Sequence, residues 1–131
     1  MHLESPRNTV NASQETVYNY LLQVANYEEL MPETISKFEV INDSRFLFAL
    51  KGMPEIVLDI KESTPHSEVI LGAASDKLPF TLTADIIELD EEQTEVGLTF
   101  EGQFNTMMAM MIKAPIKKFI EALTENMSKI A

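Results

Sequence analysis

The 131-residue chain contains no cysteine, so disulfide bonds, thiolate nucleophiles and zinc–thiolate sites are all excluded. It has only two histidines, His2 and His66, and neither is accompanied by a second metal-ligand residue at a recognised spacing. We therefore expect neither a metal site nor a bound cofactor. The absence of disulfides is compatible with a reducing compartment, and we predict a cytoplasmic location.

Glycine is also scarce, and its four copies are isolated from one another along the chain. The sequence has no GxSxG nucleophile elbow, no P-loop and no GxGxxG dinucleotide-binding motif. Isolated glycines in strands typically mark bulges or bends, as a strongly curved sheet requires. Because no catalytic signature decides the function, it must be inferred from the fold and from the character of the interior.

Basic residues are few: ten Lys and Arg stand against twenty-one Asp and Glu, which gives a formal net charge of -11. A charge of this sign repels the phosphate backbone, so we predict that nucleic acid is not a partner. No apolar run approaches the length of about 20 residues that spans a bilayer, so we also expect no membrane insertion.

What the chain does contain is an ordinary globular balance, with 45% hydrophobic and 24% charged residues. A domain of this length buries roughly two-thirds of the surface that its unfolded chain exposes, so a real core is available. We predict one domain over residues 1–131.

The first part of the chain predicts a strand followed by two short helices. The strand is expected near Leu3 to Val10, and Ser13 can cap a helix whose apolar residues recur at helical spacing. A further helical turn or two leads to Met31-Pro32, where proline interrupts the hydrogen-bond ladder.

The middle of the chain alternates apolar and polar residues in six further segments, as half-buried strands do. Short turns join most of them, among them NDS at 42–44 and the acidic DEEQ at 90–93. Short connections imply antiparallel pairing. The alternation places four carboxylates opposite their apolar neighbours, hence on the outside: Asp59, Asp85, Glu95 and Glu101.

The end of the chain predicts a long amphipathic helix that begins after Asn105-Thr106. Four methionines, at 107, 108, 110 and 111, cover about 200° of arc at about 100° per residue, which is wider than one core-facing stripe requires. They are core residues, the wall of an adaptable cavity or an apolar dimer contact, and the pattern leaves these alternatives open. Pro115 predicts a kink within this helix.

The order of elements resembles the helix-grip fold of the START-like superfamily, which includes polyketide cyclases, lipid-transfer domains and plant pollen-allergen-type proteins. The resemblance is carried by the opening TVNASQETVYNYLLQVANYEELMP, with its aromatic–leucine helix and its Met-Pro end, and by the final apolar helix. It implies an α+β fold in which a curved seven-stranded antiparallel sheet with two short helices grips the long C-terminal helix. Plant members carry a glycine-rich loop where this chain has NDS, so recognition tied to that loop is not transferred.

In many members of this superfamily a cavity lies between the sheet and the last helix, and this suggests the leading hypothesis: an apolar or amphipathic small molecule, lipid-like or aromatic, binds there. The expected inward-facing set is Phe38, Phe48, Leu58, Leu82, Leu98, Phe100, Met108, Met111, Ile112 and Phe119.

Two alternatives stay open. An enzyme of the cyclase or dehydratase kind would need an ionisable group inside the cavity, and the available candidates are Tyr18, Tyr20, Tyr27, Arg7 and Glu39. A co-chaperone-like interaction domain, or a homodimer, would instead have a filled core and an exposed apolar patch.

Overall fold

One antiparallel sheet and three α-helices follow the predicted order of elements. The computed structural model describes residues 1–74 and 79–130. The strands are β1 (His2–Glu4), β2 (Asn8–Val10), β3 (Ile35–Asn42), β4 (Arg45–Leu50), β5 (Ile56–Thr64), β6 (Glu68–Ala73), β7 (Phe80–Asp90) and β8 (Gln93–Gly102). The helices are α1 (Gln14–Leu21), α2 (Tyr27–Leu30) and α3 (Thr106–Asn126), and 3-10 turns cover Val24–Asn26 and Met127–Ile130.

The strand order in the sheet is β1, β8, β7, β6, β5, β4, β3. Strand β2 also pairs with β8, at a different part of that strand from β1. The single opening strand predicted from the sequence is therefore divided into two short strands. Leu3 pairs with Phe100 and Asn8 pairs with Val96, while the segment between them contains Pro6, which has no N–H to donate. Both pieces occupy one position at the edge, so the α+β fold with seven strand positions is confirmed.

The two short helices begin and end where the sequence chemistry predicts. The Ser13 side chain caps α1 by accepting a hydrogen bond from Thr16 N at 3.1 Å. Helix α2 ends at Leu30, and Met31 is extended immediately before Pro32. Asn42 Oδ1 accepts from Ser44 N at 2.9 Å in the β3–β4 connection, which is the tight turn expected there.

The long helix α3 is capped by Asn105, whose Oδ1 accepts from Met108 N at 2.8 Å. It is helical through Pro115, although this residue has no N–H to donate to the carbonyl of Met111. Its core-facing stripe is made of Ile112, Ile116, Phe119, Ile120 and Leu123. None of the helices in residues 1–74 and 79–130 is both long enough and apolar enough to span a bilayer.

Aromatic rings fill the space between the sheet and the middle of α3. Phe48 of β4 stacks on Phe119 of α3 with ring centroids 4.8 Å apart and an interplanar angle of 6°. Next to this pair, Phe46 stacks on Tyr27 of α2 at 5.1 Å and on Phe38 of β3 at 5.4 Å. The middle of α3 therefore packs directly against side chains of the sheet.

The C-terminal half of α3 is fastened on both sides by side-chain hydrogen bonds. Asn8 Nδ2 donates to the carbonyl of Thr124 at 2.9 Å, and the Thr124 hydroxyl donates to Ser5 Oγ at 2.8 Å. On the other side Asn126 Nδ2 donates to the carbonyl of Leu30 at 2.9 Å. This half of the helix is thereby fixed to both the β1–β2 edge and α2.

Candidate ligand-binding site

An apolar cavity of about 420 Å³ lies at one end of the sheet, under the N-terminal half of α3. Its lining comes from the loop between β4 and β5, from the start of β5, the end of β6 and the start of β7, and from α3. The described residues that line it are Gly52, Met53, Pro54, Glu55, Ile56, Val57, Ala73, Phe80, Met108, Met111 and Ile112.

The β4–β5 loop is held in place by backbone geometry. Gly52 has φ +82°, a left-handed conformation that side-chain-bearing residues rarely adopt. Met53 N donates to the carbonyl of Leu50 at 3.0 Å, and Lys51 N donates to the carbonyl of Thr34 at 2.9 Å. These contacts turn the apolar side of the loop, Met53 and Pro54, toward the cavity.

The helix wall is made of residues with very different exposure. Ile112 is buried and Met108 is half-buried against the core, whereas Met111 is 67% exposed although it lines the cavity. Met107 and Met110 are 74% and 77% exposed and do not line it. Met111 is therefore at the mouth of the cavity, between its interior and an outward-facing methionine patch formed by Met107, Met110 and Met111.

The sheet wall ends in an aromatic cluster at the start of β7. Phe80 packs on Phe100 with centroids 4.8 Å apart, and Phe100 packs on Phe104 at 6.2 Å. The Phe104 ring lies over Gly102, where an added Cβ would come within 2.6 Å of the ring and 2.9 Å of the Phe80 Cβ. A glycine at 102 thus allows the chain leaving β8 to fold back over the sheet beside the cavity.

Of the ten residues expected to face a ligand, the structure brings three to this cavity: Met108, Met111 and Ile112. The other seven do not line it. Six of them are buried within the core: Phe48, Leu58, Leu82, Leu98, Phe100 and Phe119. The seventh, Phe38, is half-buried on the edge strand β3. A role for any of the ten in binding stays a prediction.

The sequence interpretation did not include the rest of the described lining: Gly52, Met53, Pro54, Glu55, Ile56, Val57, Ala73 and Phe80. Strand alternation identifies the inner face of a sheet but not how far along each strand the packed core extends. One signal was present: GMP at 52–54 places two apolar residues in a connection between strands, where polar residues are usual.

The tyrosines considered as acid–base candidates lie outside the cavity lining. Tyr27 is buried, and its hydroxyl donates to the carbonyl of Leu21 at 2.8 Å; burial raises its pKa well above the ordinary value. Burial, followed by the hydrogen bond to Glu29, raises the pKa of Tyr20 to about 12. Tyr18 packs edge-on against the His66 ring, with centroids 5.2 Å apart. All three are therefore structural in this arrangement.

Glu55 is the only ionisable side chain that lines the cavity among the residues whose positions are described. Lys37 Nζ donates to Glu55 Oε2 at 2.9 Å, and this hydrogen bond raises the pKa of Lys37. Both side chains are about half exposed, at 49% and 53%. Over residues 1–74 and 79–130, no group of three His, Asp or Glu side chains is arranged to hold a metal ion.

No protein-family model matches the chain, and no curated protein matches it in sequence. Solved structures do match it. The X-ray structure of norcoclaurine synthase from Thalictrum flavum in complex with dopamine and hydroxybenzaldehyde has a TM-score of 0.73 at 11% identity, with 99% of this chain and 85% of that chain covered. A START superfamily protein from Mycobacterium smegmatis has a TM-score of 0.70 at 12% identity over 99% of both chains.

The chain has the START-type helix-grip fold. A conserved protein from Geobacillus kaustophilus shows the same similarity, with a TM-score of 0.69 at 12% identity over 98% of this chain and 93% of that chain. At identities this low the similarity establishes the helix-grip fold, and it transfers no residue roles. The site must be interpreted from this chain's own side chains.

Proposed function

We propose that this helix-grip protein binds an apolar or amphipathic small molecule in the cavity between the β4–β5 loop and α3. The observation that carries the proposal is the cavity itself, about 420 Å³ in volume, whose lining within residues 1–74 and 79–130 is mostly apolar. Small-molecule sites typically have volumes of about 300–1,000 Å³ and combine an apolar lining with a few polar groups. The driving force is desolvation, at about 25 cal/mol per Å² of apolar surface buried.

The methionines make this wall adaptable. Met53, Met108 and Met111 approach the cavity from both sides, and unbranched thioether side chains can repack around ligands of different shape. The similar structure of norcoclaurine synthase in complex with dopamine and hydroxybenzaldehyde supports the proposal, because it shows aromatic small molecules bound to a protein of this fold.

Binding is favoured over acid–base catalysis at this site. A cyclase- or dehydratase-type enzyme needs a general acid or base within reach of the reacting atoms. Glu55, the ionisable residue found in the described lining, is about half exposed and is already paired with Lys37. The described lining therefore offers shape and desolvation, and this supports the binding module over the enzyme.

Binding of the neutral dye Nile red, followed by its fluorescence, tests the proposal with a matched pair of variants. Met111→Trp should weaken binding by about tenfold or more, because the larger ring occupies the mouth of the cavity. Met110→Trp places the same ring on the adjacent position, which is equally exposed but outside the lining, and should leave the affinity within about twofold. Circular dichroism and thermal melting confirm that both variants fold.

Equal affinities of the two variants would remove Met111 from the site. If the wild-type protein bound neither Nile red nor neutral long-chain alcohols, and carried no releasable small molecule in native mass spectrometry, the binding function would be wrong.

The exposed methionine patch favours a second candidate function, self-association or docking of another protein. Three large apolar side chains at 67–77% exposure stand on one helix face, opposite its buried stripe. Such patches commonly mark interaction sites. Light scattering coupled to size exclusion tests this: a dimer that becomes monomeric in Met107→Ser/Met110→Ser would support it, whereas a concentration-independent monomer would remove the dimer.

A further inference from the structure

In the described part of the lining, the charge is carried by one carboxylate. Among the residues with described positions, Glu55 supplies the only charge in the lining, at the mouth beside Pro54 and Ile56. An amphipathic ligand that buries its apolar body in the cavity must place its polar end at the mouth, where water and Glu55 are both within reach.

Glu55 has capacity for a second cationic partner. Its Oε2 accepts from Lys37 Nζ at 2.9 Å, while its Oε1 has no hydrogen-bond partner within residues 1–74 and 79–130. A carboxylate offers about four lone-pair sites on two oxygens, so an additional ammonium group can bind without displacing the lysine.

Within residues 1–74 and 79–130, the lysines near the cavity are poorly placed to hold an anionic ligand. Lys37 is already paired with Glu55, and it does not line the cavity. Lys51 and Lys113 are exposed and are also absent from the lining. In addition, the formal charge of -11 on the whole chain repels anions and attracts cations at low ionic strength.

We propose that the cavity is selective for cationic amphiphiles, molecules with an apolar body and an ammonium group that pairs with Glu55. This inference rests on the proposed binding function and adds the charge of the ligand to it. Fatty acids of the same length are the disfavoured class, because their carboxylate would lie against Glu55.

A matched series of three ligands tests the selectivity: decylamine, decanol and decanoate, which differ only in their polar end. Their affinities are measured by displacement of Nile red at low salt, below the concentrations at which they form micelles. Decylamine should bind about fivefold more tightly than decanol, as expected for one partly exposed ion pair, and decanoate should bind more weakly than decanol. Added salt should reduce the differences.

Two substitutions separate the local carboxylate from the general negative charge. Glu55→Gln should bring the affinity for decylamine to the affinity for decanol, when both are measured on the variant. Glu92→Gln removes one negative charge from the exposed β7–β8 turn, outside the cavity lining, and should preserve the amine preference. Lys37→Met should increase the preference, because the positive charge of Lys37 then no longer offsets the negative charge of Glu55.

The outcomes also distinguish a failure of the charge selectivity from a failure of the binding function on which it rests. If decanol binds, and decanoate binds equally well or more tightly, the charge selectivity is overturned but the proposed binding function of the cavity is not. An amine preference that survives Glu55→Gln, or that falls equally in Glu92→Gln, would remove Glu55 as its source. If Nile red binds but none of the three ligands displaces it, the charge selectivity is overturned. If neither the dye nor decanol binds and no releasable small molecule is found, both proposals are overturned.

Discussion

The rings of Phe48 and Phe119 lie parallel, with centroids 4.8 Å apart, and join the middle of the sheet to the middle of α3. Because both rings are buried, this contact occupies the space where a deep central pocket would otherwise lie. It also separates the packed part of the helix–sheet interface from the cavity at the end of the sheet.

Removing this contact should be costly. Phe119→Ala is expected to lower the free energy of unfolding by about 3–5 kcal/mol, because it removes a stacked ring and leaves a void. Urea denaturation followed by circular dichroism measures this, with exposed Lys118→Ala as a control that should stay within about 0.5 kcal/mol of wild type. If Phe119→Ala does not fold, Phe119→Leu should show a smaller loss in the same direction. A loss below about 1 kcal/mol in Phe119→Ala would contradict the structure of this core.

The buried hydroxyl of Tyr27 offers a prediction that depends on pH. Tyr27→Phe leaves the Leu21 carbonyl without its donor and should cost about 1–2 kcal/mol at pH 8. Burial raises the Tyr27 pKa in the folded protein, so the contribution is fully present below the ordinary tyrosine pKa of about 10 and is lost as the pH rises toward the folded value. The difference between wild type and Tyr27→Phe should therefore shrink above about pH 10. A constant difference between pH 8 and pH 11 would show that the hydroxyl is not protected in this way.

The ion pair on the outer face of the sheet gives the opposite pH dependence. Arg45 Nε and Nη2 donate to the two carboxylate oxygens of Asp59 at 2.6 and 3.0 Å, which lowers the Asp59 pKa, and Lys61 adds to the effect. The stabilisation is present above the ordinary carboxyl pKa of about 4 and is lost as the pH falls through the lower folded value. Asp59→Asn should thus be less stable than wild type at pH 7, and the difference between the two should shrink as the pH falls below about 4.

The comparison with Asp59→Asn is necessary because protonation of the other acidic residues also changes the net charge of -11 over this range. Urea denaturation of both proteins at each pH isolates the contribution of the pair. A difference that grows toward acid pH would have the wrong sign for this ion pair.

Substitutions of Gly52 test the backbone conformation of the β4–β5 loop separately from steric clashes of the added side chain. An added Cβ would meet no atom of residues 1–74 and 79–130 within 4 Å, so the expected cost of substitution arises from φ +82°. Gly52→Ala should cost about 1–2 kcal/mol, and Gly52→Asn should cost less because asparagine tolerates the left-handed region. Thermal melts of the two variants, supported by urea denaturation, give the order. Equal stability of Gly52→Ala and wild type would mean that the loop does not hold this conformation.

Much of the fold could be predicted from the sequence because its signals are local. Alternation identifies the strands, Ser13 and Asn105 mark helix starts, and Pro32 marks a helix end. The division of the first strand was missed because residues 3–10 were interpreted as one run through Pro6, which has no N–H to donate to β8. In the structure Ser5 bridges the gap: its N–H donates to the Leu98 carbonyl, and its Oγ accepts from Leu98 N.

The cavity could not be located in the same way. Phe48 and Ile56 both belong to inner-face patterns, but only Ile56 lines the cavity, since the Phe119 ring occupies the space beside Phe48. Whether space stays open next to an inward residue depends on the rotamers of residues distant in sequence. The alternation of apolar and polar residues predicts which face of a strand points inward, whereas side-chain packing decides where along that face a cavity stays open.

The unequal attachment of the two halves of α3 has a kinetic consequence. Asn8 and Asn126 hold the C-terminal half through backbone carbonyls, whereas within the described residues the N-terminal half meets the core mainly through Met108 and Ile112. Pro115 leaves one hydrogen bond fewer between the halves. We therefore expect backbone amides of residues 109–112 to exchange with deuterium faster than those of 119–124. The residence time of a ligand would then follow this local opening, and core substitutions that change global stability would leave it unaltered.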